Sequence, residues 1–423
     1  MRAVVVNCFI KGHKQPPLSE MKNLLATLEI DIDLVCEQNI DHISQSIYLG
    51  SGLLMRIGEY VKENEIDRVV FNNDLSPLQI RNISSICDCE VYDRSMVIIK
   101  IFQLRASSKE AKLQVEIASL KYTGARLIDR EKNYSQITSG GAGGLQNRGS
   151  GEKEIVRKKY LLKTIIKHKE DELANIVLKR EQQRKSRNES LPIVAIVGYT
   201  NAGKSTLMNN FIRLTNNNKK DLILQEDRLF ATLQTSTRLI KVDSFYPFLI
   251  TDTVGFISDL PTPLIKAFRS TLEEINEADI LINVVDVSSK KYEDEILVTK
   301  NTLKEIGITD KPTIYIYNKY DLMEKNQPLP PIGEFDLITS LSTLEDMTLI
   351  LELIDKLLSS FYVDVQLFIP YEESDVYFDI KNNYAITSSK QIDYGYDVIC
   401  KIDKRAMKKY QKYLISKSSL GID

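Results

Sequence analysis

The sequence predicts an α/β protein. A phosphate-loop domain is preceded by a small α/β domain with a long two-helix arm and followed by a small α+β C-terminal domain. Three observations predict this. A glycine-rich run, Gly198 to Thr206, stands between an apolar stretch and a helical pattern. Strand-like and helix-like runs alternate through the first hundred residues. Residues 152–187 contain neither proline nor glycine.

At 423 residues the chain is too long for one core, and about three domains is the natural expectation. Hydrophobic content of 43% with 27% charged residues describes an ordinary globular protein and excludes a disordered one. The net charge of −2 gives no global basic signature, so any nucleic-acid contact must come from a local patch. The five cysteines are scattered, and Cys87-Asp88-Cys89 lacks the two-residue gap and second pair of a zinc site. A reduced, cytoplasmic protein is expected. No apolar run approaches membrane-spanning length, and Ala3 to Val6 reads as a strand rather than part of a signal segment. His13 and His42 read as surface residues.

The first domain, residues 1–106, reads as strands at Ala3–Asn7, Ile32–Val35, Arg68–Phe71 and Glu90–Tyr92. Helices are expected at Leu18–Leu28 and Leu53–Asn64, and Pro77 stands at a first-turn position. The arm, residues 107–189, starts with Leu113, Ile117 and Leu120 on one helix face. Its second helix carries Ile155, Leu162, Ile166, Leu173 and Ile176 as a coiled-coil-like seam, so an antiparallel pair is expected. A loop with Gly140-Gly141-Ala142-Gly143-Gly144 and then Arg148-Gly149-Ser150-Gly151 joins them; composition alone leaves a flexible linker open. The second helix is basic from Lys153 to Arg187, with too few acidic residues at four-residue spacing to pair it. Phosphate-backbone contact with structured RNA follows.

Residues 190–362 hold the chemistry. Gly198-Tyr199-Thr200-Asn201-Ala202-Gly203-Lys204-Ser205-Thr206 matches the pattern Gly-x-x-x-x-Gly-Lys-Ser/Thr after the strand Ile193–Val197. Backbone N–H groups of such a loop converge on phosphate oxygens, and the glycines let the backbone come close. Lys204 can reach the terminal phosphates and the Ser205 hydroxyl can ligate Mg2+. Asp252-Thr253-Val254-Gly255 follows the strand Phe248–Ile250; Asp252 can hold a magnesium-bound water and the Gly255 N–H can meet a γ-phosphate.

Asn318-Lys319-Tyr320-Asp321 follows the strand Thr313–Tyr317. The Asp321 carboxylate only accepts hydrogen bonds, which fits the N1–H and exocyclic amine of guanine and selects GTP over ATP. Asn318 can brace the loop, and the Lys319 stem can cover the base. Thr232 is the candidate magnesium-ligating threonine of a first switch spanning Leu229 to Arg238, with Thr235 the fallback. Thr339-Ser340-Leu341 stands where a base-backing loop would lie.

Two details concern mechanism. Phe256 follows Gly255, where small GTPases carry a water-orienting glutamine, and an aromatic ring cannot hydrogen-bond that water. The Asn201 amide oxygen can ligate a monovalent cation such as K+ against the phosphates, or can brace the loop. Slow intrinsic hydrolysis that depends on a partner is expected.

The tail, residues 363–423, reads as a strand Val363–Ile369, further strands at Val376–Ile380 and Val398–Ile402, and a basic helix Lys404–Ile415. It reads as a small lid packed on the nucleotide domain.

With these residues in view, the sequence resembles the HflX family of ribosome-associated GTPases over nearly its whole length. The most specific likeness lies in Asp74-Leu75-Ser76-Pro77 with Gln79, Arg81 and Asn82, in Asp93-Arg94, and in Glu110 to Glu116. Gly198–Thr206, Leu229–Leu233, Thr237-Arg238 and Asp252–Phe256 are similar to the family's GTPase motifs. The resemblance implies a GTPase that binds the large ribosomal subunit and its rRNA; a monomer is expected. Its arm tip would reach the peptidyl-transferase region, and its GTP state would split or rescue stalled or idle ribosomes. It also implies links to ATP hydrolysis and to subunit maturation. The arm tip departs from the family pattern through an insertion and the absence of a proline, and Lys100 lies where the family tends to have an aspartate. A role in large-subunit maturation, or as a stand-alone nucleotide hydrolase, is the alternative.

Overall fold

The computed structural model describes residues 1–11, 16–137, 148–185, 191–215, 237–242, 244–253, 255–257, 275–324 and 327–415. Two compact units divide the chain, the first spanning Met1–Val177 and the second beginning at Leu178. Thr232 and Thr235, the rest of Leu229–Ser236, the arm-tip run Gly140–Gly144, His13 and Val254 lie outside the described residues.

In the first unit, β1 (Arg2–Ile10), β2 (Asp31–Ile40), β3 (Arg68–Phe71) and β4 (Glu90–Tyr92) form a parallel sheet in the order β2-β1-β3-β4. Helices α1 (Leu18–Thr27), α2 (Ser51–Glu63), α3 (Pro77–Cys87) and α4 (Arg94–Arg105) connect the strands and follow the last of them. The continuous apolar run Ala3–Val6 is wholly buried, as a central strand covered on both faces requires. Ser76 caps α3, its hydroxyl accepting from Gln79 N while Gln79 Oε1 accepts from Ser76 N, and Pro77 occupies the first turn. None of the five cysteines is in a disulfide; Cys87 is buried and Cys89 half-buried.

The arm consists of α5 (Lys109–Ile137) and α6 (Arg148–Lys185). Interhelix ion pairs at Lys109–Glu172 (2.6 Å), Glu116–Lys169 (2.8 Å) and Lys121–Glu170 (2.6 Å) set an antiparallel arrangement. At Gly124 a Cβ would lie 2.0 Å from Leu162 Cδ2, so a larger residue there would have to displace that leucine side chain. Leu162, Ile166, Leu173 and Ile176 of the expected seam are half-buried. The stretch Arg148–Gly151, read as loop, is instead the start of α6.

In the second unit, β5 (Ile193–Gly198), β6 (Thr237–Ile240), β7 (Phe248–Asp252), β8 (Ile280–Asp286), β9 (Thr313–Asn318) and β10 (Asp336–Ile338) form a six-stranded sheet. Its order is β10-β9-β8-β5-β7-β6, parallel except for the β6–β7 pair. Helices α7 (Lys204–Thr215), α8 (Tyr292–Glu305) and α9 (Leu344–Leu358) belong to the same unit. A three-stranded antiparallel sheet follows: β11 (Tyr362–Pro370), β12 (Ala385–Ile392) and β13 (Gly395–Asp403), with α10 (Ser374–Asn383) between β11 and β12. One hydrophobic cluster runs from Val194, Ile250 and Ile316 through Ile354 to Leu367, Val398 and Ile402, so the tail shares a core with the nucleotide domain.

The tail corrects two expectations. Val376–Ile380 lies inside α10, where Val376 and Ile380 share one helix face and Ile380 is fully buried in the core. Lys404–Ile415 is not one helix: a short turn, α11 (Met407–Tyr410), gives way to a 3-10 turn, and Ile415 N donates to Gln366 O beside β11. The aromatic rings and acidic side chains of the tail explain the break. Lys409 and Tyr410 OH meet Asp379, at 2.5 and 2.6 Å, while Lys412 and Tyr413 OH meet Glu373. Arg405 reaches Asp403 and Asp279.

Candidate nucleotide site

The site is assembled at the carboxyl ends of β5, β7, β8 and β9, where an open parallel sheet places its binding crevice. Gly198 ends β5 with φ at +141°, and a Cβ on it would lie 2.2 Å from Val284 O. Gly203 has φ at +107°, and a Cβ there would lie 2.1 Å from Asn318 Nδ2. Both positions therefore exclude side chains, one to let the loop leave the sheet and the other to let the base-side loop close over it. Asn201, exposed, adopts φ of 61° in the left-handed region that asparagine tolerates.

Lys204 opens α7 and is buried, its Nζ donating to Tyr199 O at 2.6 Å across its own loop. Burial pushes its ammonium down to about 8; Asp252 opposes that fall and Lys319 adds to it. Asp252 is fully buried at the end of β7, its Oδ1 accepting from Thr253 N at 2.9 Å, and the Thr253 hydroxyl donates to Ile196 O at 2.6 Å. A Cβ on Gly255 would lie 2.9 Å from Lys204 Nζ and 2.8 Å from Thr200 Cγ2, so this glycine packs directly on the phosphate loop. Phe256 is buried, and its backbone pairs with the loop through Phe256 N to Gly198 O (3.1 Å) and Thr200 N to Phe256 O (2.7 Å).

The base side is built from two loops. Asn318 Nδ2 donates to Ala202 O at 2.8 Å, bracing the phosphate loop. Asp321 is exposed, and its backbone N–H donates to Ser340 Oγ at 3.2 Å. Thr339 is buried and accepts from Leu341 N at 3.0 Å, and Asn210 Nδ2 from α7 donates to Leu341 O. The structure thus brings Thr339 and Ser340 to the Asn318–Asp321 loop. Leu341, the last residue of that expected loop, carries φ of 52° and lies 3.8 Å from where a Gly203 Cβ would stand. Sequence reading missed Asp286, at the end of β8, whose carboxylate meets Lys319 Nζ at 2.7 Å.

The residues suit a phosphorylated ligand with a hard cation. The Thr200 hydroxyl and Asn318 Oδ1 are buried with no hydrogen-bond partner among the described residues, at the phosphate and base ends respectively. No group of three or more His, Cys, Asp or Glu side chains that could hold a metal is present among the described residues. Among the described residues, the Ser205 hydroxyl and the Asp252 carboxylate side would hold a cation here together with phosphate oxygens, as Mg2+ requires. No helix among the described residues is long and apolar enough to cross a membrane.

Comparison with known proteins agrees with this geometry. Residues 15–103 match the family description GTP-binding GTPase N-terminal, residues 105–187 match GTP-binding GTPase Middle Region, and residues 193–319 match 50S ribosome-binding GTPase. GTPase HflX of Caldanaerobacter subterraneus is 34% identical over 409 residues, 96% of this chain and 92% of that protein. GTPase HflX of Escherichia coli K12 is 35% identical over 329 residues, 77% of this chain and 75% of its own length. Among solved structures, a GTP-binding protein from Sulfolobus solfataricus in complex with GDP matches with a TM-score of 0.44. It is 23% identical, and the match covers 85% of this chain and 99% of that one. The chain belongs to the HflX family of GTPases.

Proposed function

We propose that this chain is a cytoplasmic, monomeric, ribosome-binding factor that uses GTP binding to separate or rescue stalled or idle ribosomes and GTP hydrolysis to reset. The observation that supports the reading best is the single contact surface of three loops, with Gly203 beneath Asn318 and Gly255 against Lys204. A phosphate loop, a γ-phosphate-facing glycine and a guanine-reading carboxylate then share one ligand. The arm (residues 107–189) would carry contact to the large subunit and its rRNA through α6, with its tip toward the peptidyl-transferase region.

In this reading the Lys204 ammonium and the loop N–H groups bind phosphate oxygens, and Gly255 N–H senses the γ-phosphate. Ser205, Thr232 and Asp252 would hold Mg2+, which when bound neutralises charge on the β- and γ-phosphates. Asn318 and Asp321 read guanine, backed by Thr339 and Ser340. Phe256 is buried where small GTPases carry a water-orienting glutamine, so hydrolysis is slow until a partner completes the site. The exposed Asn201 would hold K+ against the phosphates. Hydrolysis in K+ should then exceed that in Na+ by about tenfold, and Asn201→Ser should erase the difference, as expected for one added positive charge.

Light scattering of mature ribosomes mixed with the protein and a non-hydrolysable GTP analogue tests the proposal, with GDP and Asp321→Asn as controls. A fall in scattering with the GTP analogue alone supports splitting. Co-sedimentation without a fall favours large-subunit maturation. Absence of binding overturns both ribosomal roles.

A further inference from the structure

The lysine of the base-reading loop is held before any ligand arrives. Lys319 follows β9 with φ of 62°, and its Nζ lies 2.7 Å from Asp286 Oδ2. The two side chains are only 22% and 17% exposed, so solvent screens this pair far less than an ordinary surface salt bridge. Asp286 is itself fixed. Its Oδ1 accepts from Ser288 N at 3.1 Å and from the Ser288 hydroxyl at 2.5 Å. Its backbone stands opposite Asn318 in the β8–β9 register, and Val287 N donates to Asn318 O at 3.0 Å. The carboxylate is therefore anchored to the strand beside the one that carries the lysine.

We propose that Asp286, oriented by Ser288, is a positioning residue for guanine-nucleotide binding: it anchors the Lys319 ammonium so that the lysine's aliphatic stem forms one wall of the base pocket. A lysine has four rotatable side-chain bonds, and tethering its far end removes that freedom in the free protein rather than at the cost of ligand affinity. The tether holds the ammonium and leaves the methylene stem to pack on an aromatic plane. The inference rests on the guanine-nucleotide reading of Asn318–Asp321.

The test is stopped-flow dissociation of fluorescently labelled GDP from the full chain, with inorganic pyrophosphate as a base-free competitor. The isosteric Asp286→Asn should release GDP about tenfold faster, within the range of coupling between contacting residues. Ser288→Ala should do so to a smaller extent, and Asp286→Glu should recover part of the loss. In a Lys319→Met background, Asp286→Asn should add nothing. Competition by pyrophosphate should be unchanged throughout, because the phosphate loop is untouched. Unchanged GDP release in Asp286→Asn, full additivity with Lys319→Met, or an equal loss of pyrophosphate affinity would each overturn the proposal. If Asp286→Asn does not fold, Ser288→Ala and the Lys319→Met pair decide it. Equal affinity of the unmodified chain for GDP and ADP would instead sink the guanine reading on which the inference stands.

Discussion

Both parallel sheets gather polar residues at the carboxyl ends of their strands, and they use them in opposite ways. In the first unit Asn72 Nδ2 donates to Asn7 Oδ1 at 3.0 Å, and Arg94 Nη1 donates to Asn72 Oδ1 at 3.0 Å. Arg94 Nη2 then meets Glu20 Oε1 at 2.7 Å. Asp93 accepts from Leu75 N, Met96 N and the Tyr122 hydroxyl, tying the loop after β3, helix α4 and the arm helix α5 to one carboxylate. This end of the sheet is consumed by its own side chains. In the second unit the corresponding positions are Gly198, Asp252, Asp286 and Asn318, and Gly198 and Gly203 keep side chains away from the loop. A charged cluster whose partners are all protein is architecture; a close-packed backbone loop with a buried lysine is a binding site.

That contrast can be broken by experiment. The largest effect is expected at Arg94→Met, which leaves Glu20 buried beside an apolar side chain; urea denaturation should show a loss of about 3–5 kcal/mol, with nucleotide affinity of the folded protein unchanged. A change in nucleotide affinity there would erase the distinction. Lys204→Ala should do the reverse, lowering single-turnover GTP hydrolysis by about 10²–10³-fold with no loss of thermal stability.

A smaller effect follows from protonation of Lys204. Its folded value of about 8 lies below the ordinary 10.5, so the unfolded chain binds more protons between those values and the ligand-free protein gains stability as pH rises through that window. Phosphate oxygens around the ammonium raise its value again, so GDP binding takes up a proton above about pH 8. Affinity measured by fluorescence titration should fall between about pH 8 and 10, by up to about tenfold per unit, and Lys204→Met should flatten the profile. The smallest effect belongs to Ser76→Ala, which removes the α3 cap at a cost of about 1 kcal/mol in the same denaturation assay and leaves hydrolysis unaltered.

The signature residues of the first domain illustrate how far sequence reading reaches. Asp74-Leu75-Ser76-Pro77 with Gln79, and Asp93-Arg94, are recognisable as a family pattern, but their tasks are not. Ser76 and Gln79 form a capping box, Asp74 Oδ1 accepts from Ser95 N, and Arg94 is buried against Glu20. In the tail, Lys409 and Lys412 of the expected basic helix are paired with Asp379 and Glu373. Such pairings join residues remote in sequence, and no local pattern encodes them.

By itself the sequence determined the phosphate-loop motif, the Asn318–Asp321 loop after its strand, the strands Arg68–Phe71 and Glu90–Tyr92, and the existence of two arm helices. Each depends on neighbours in the chain: glycines where backbone must approach a phosphate, apolar runs bounded by turns, and long stretches without helix breakers. Tertiary structure decided the rest. It turned Val376–Ile380 into a helix, because four-residue spacing of β-branched residues satisfies either a short strand or one helix face until a core selects between them. It placed Asp286 against Lys319 and Ser340 against Asp321, because the parallel sheet brings strand ends together that the sequence keeps far apart.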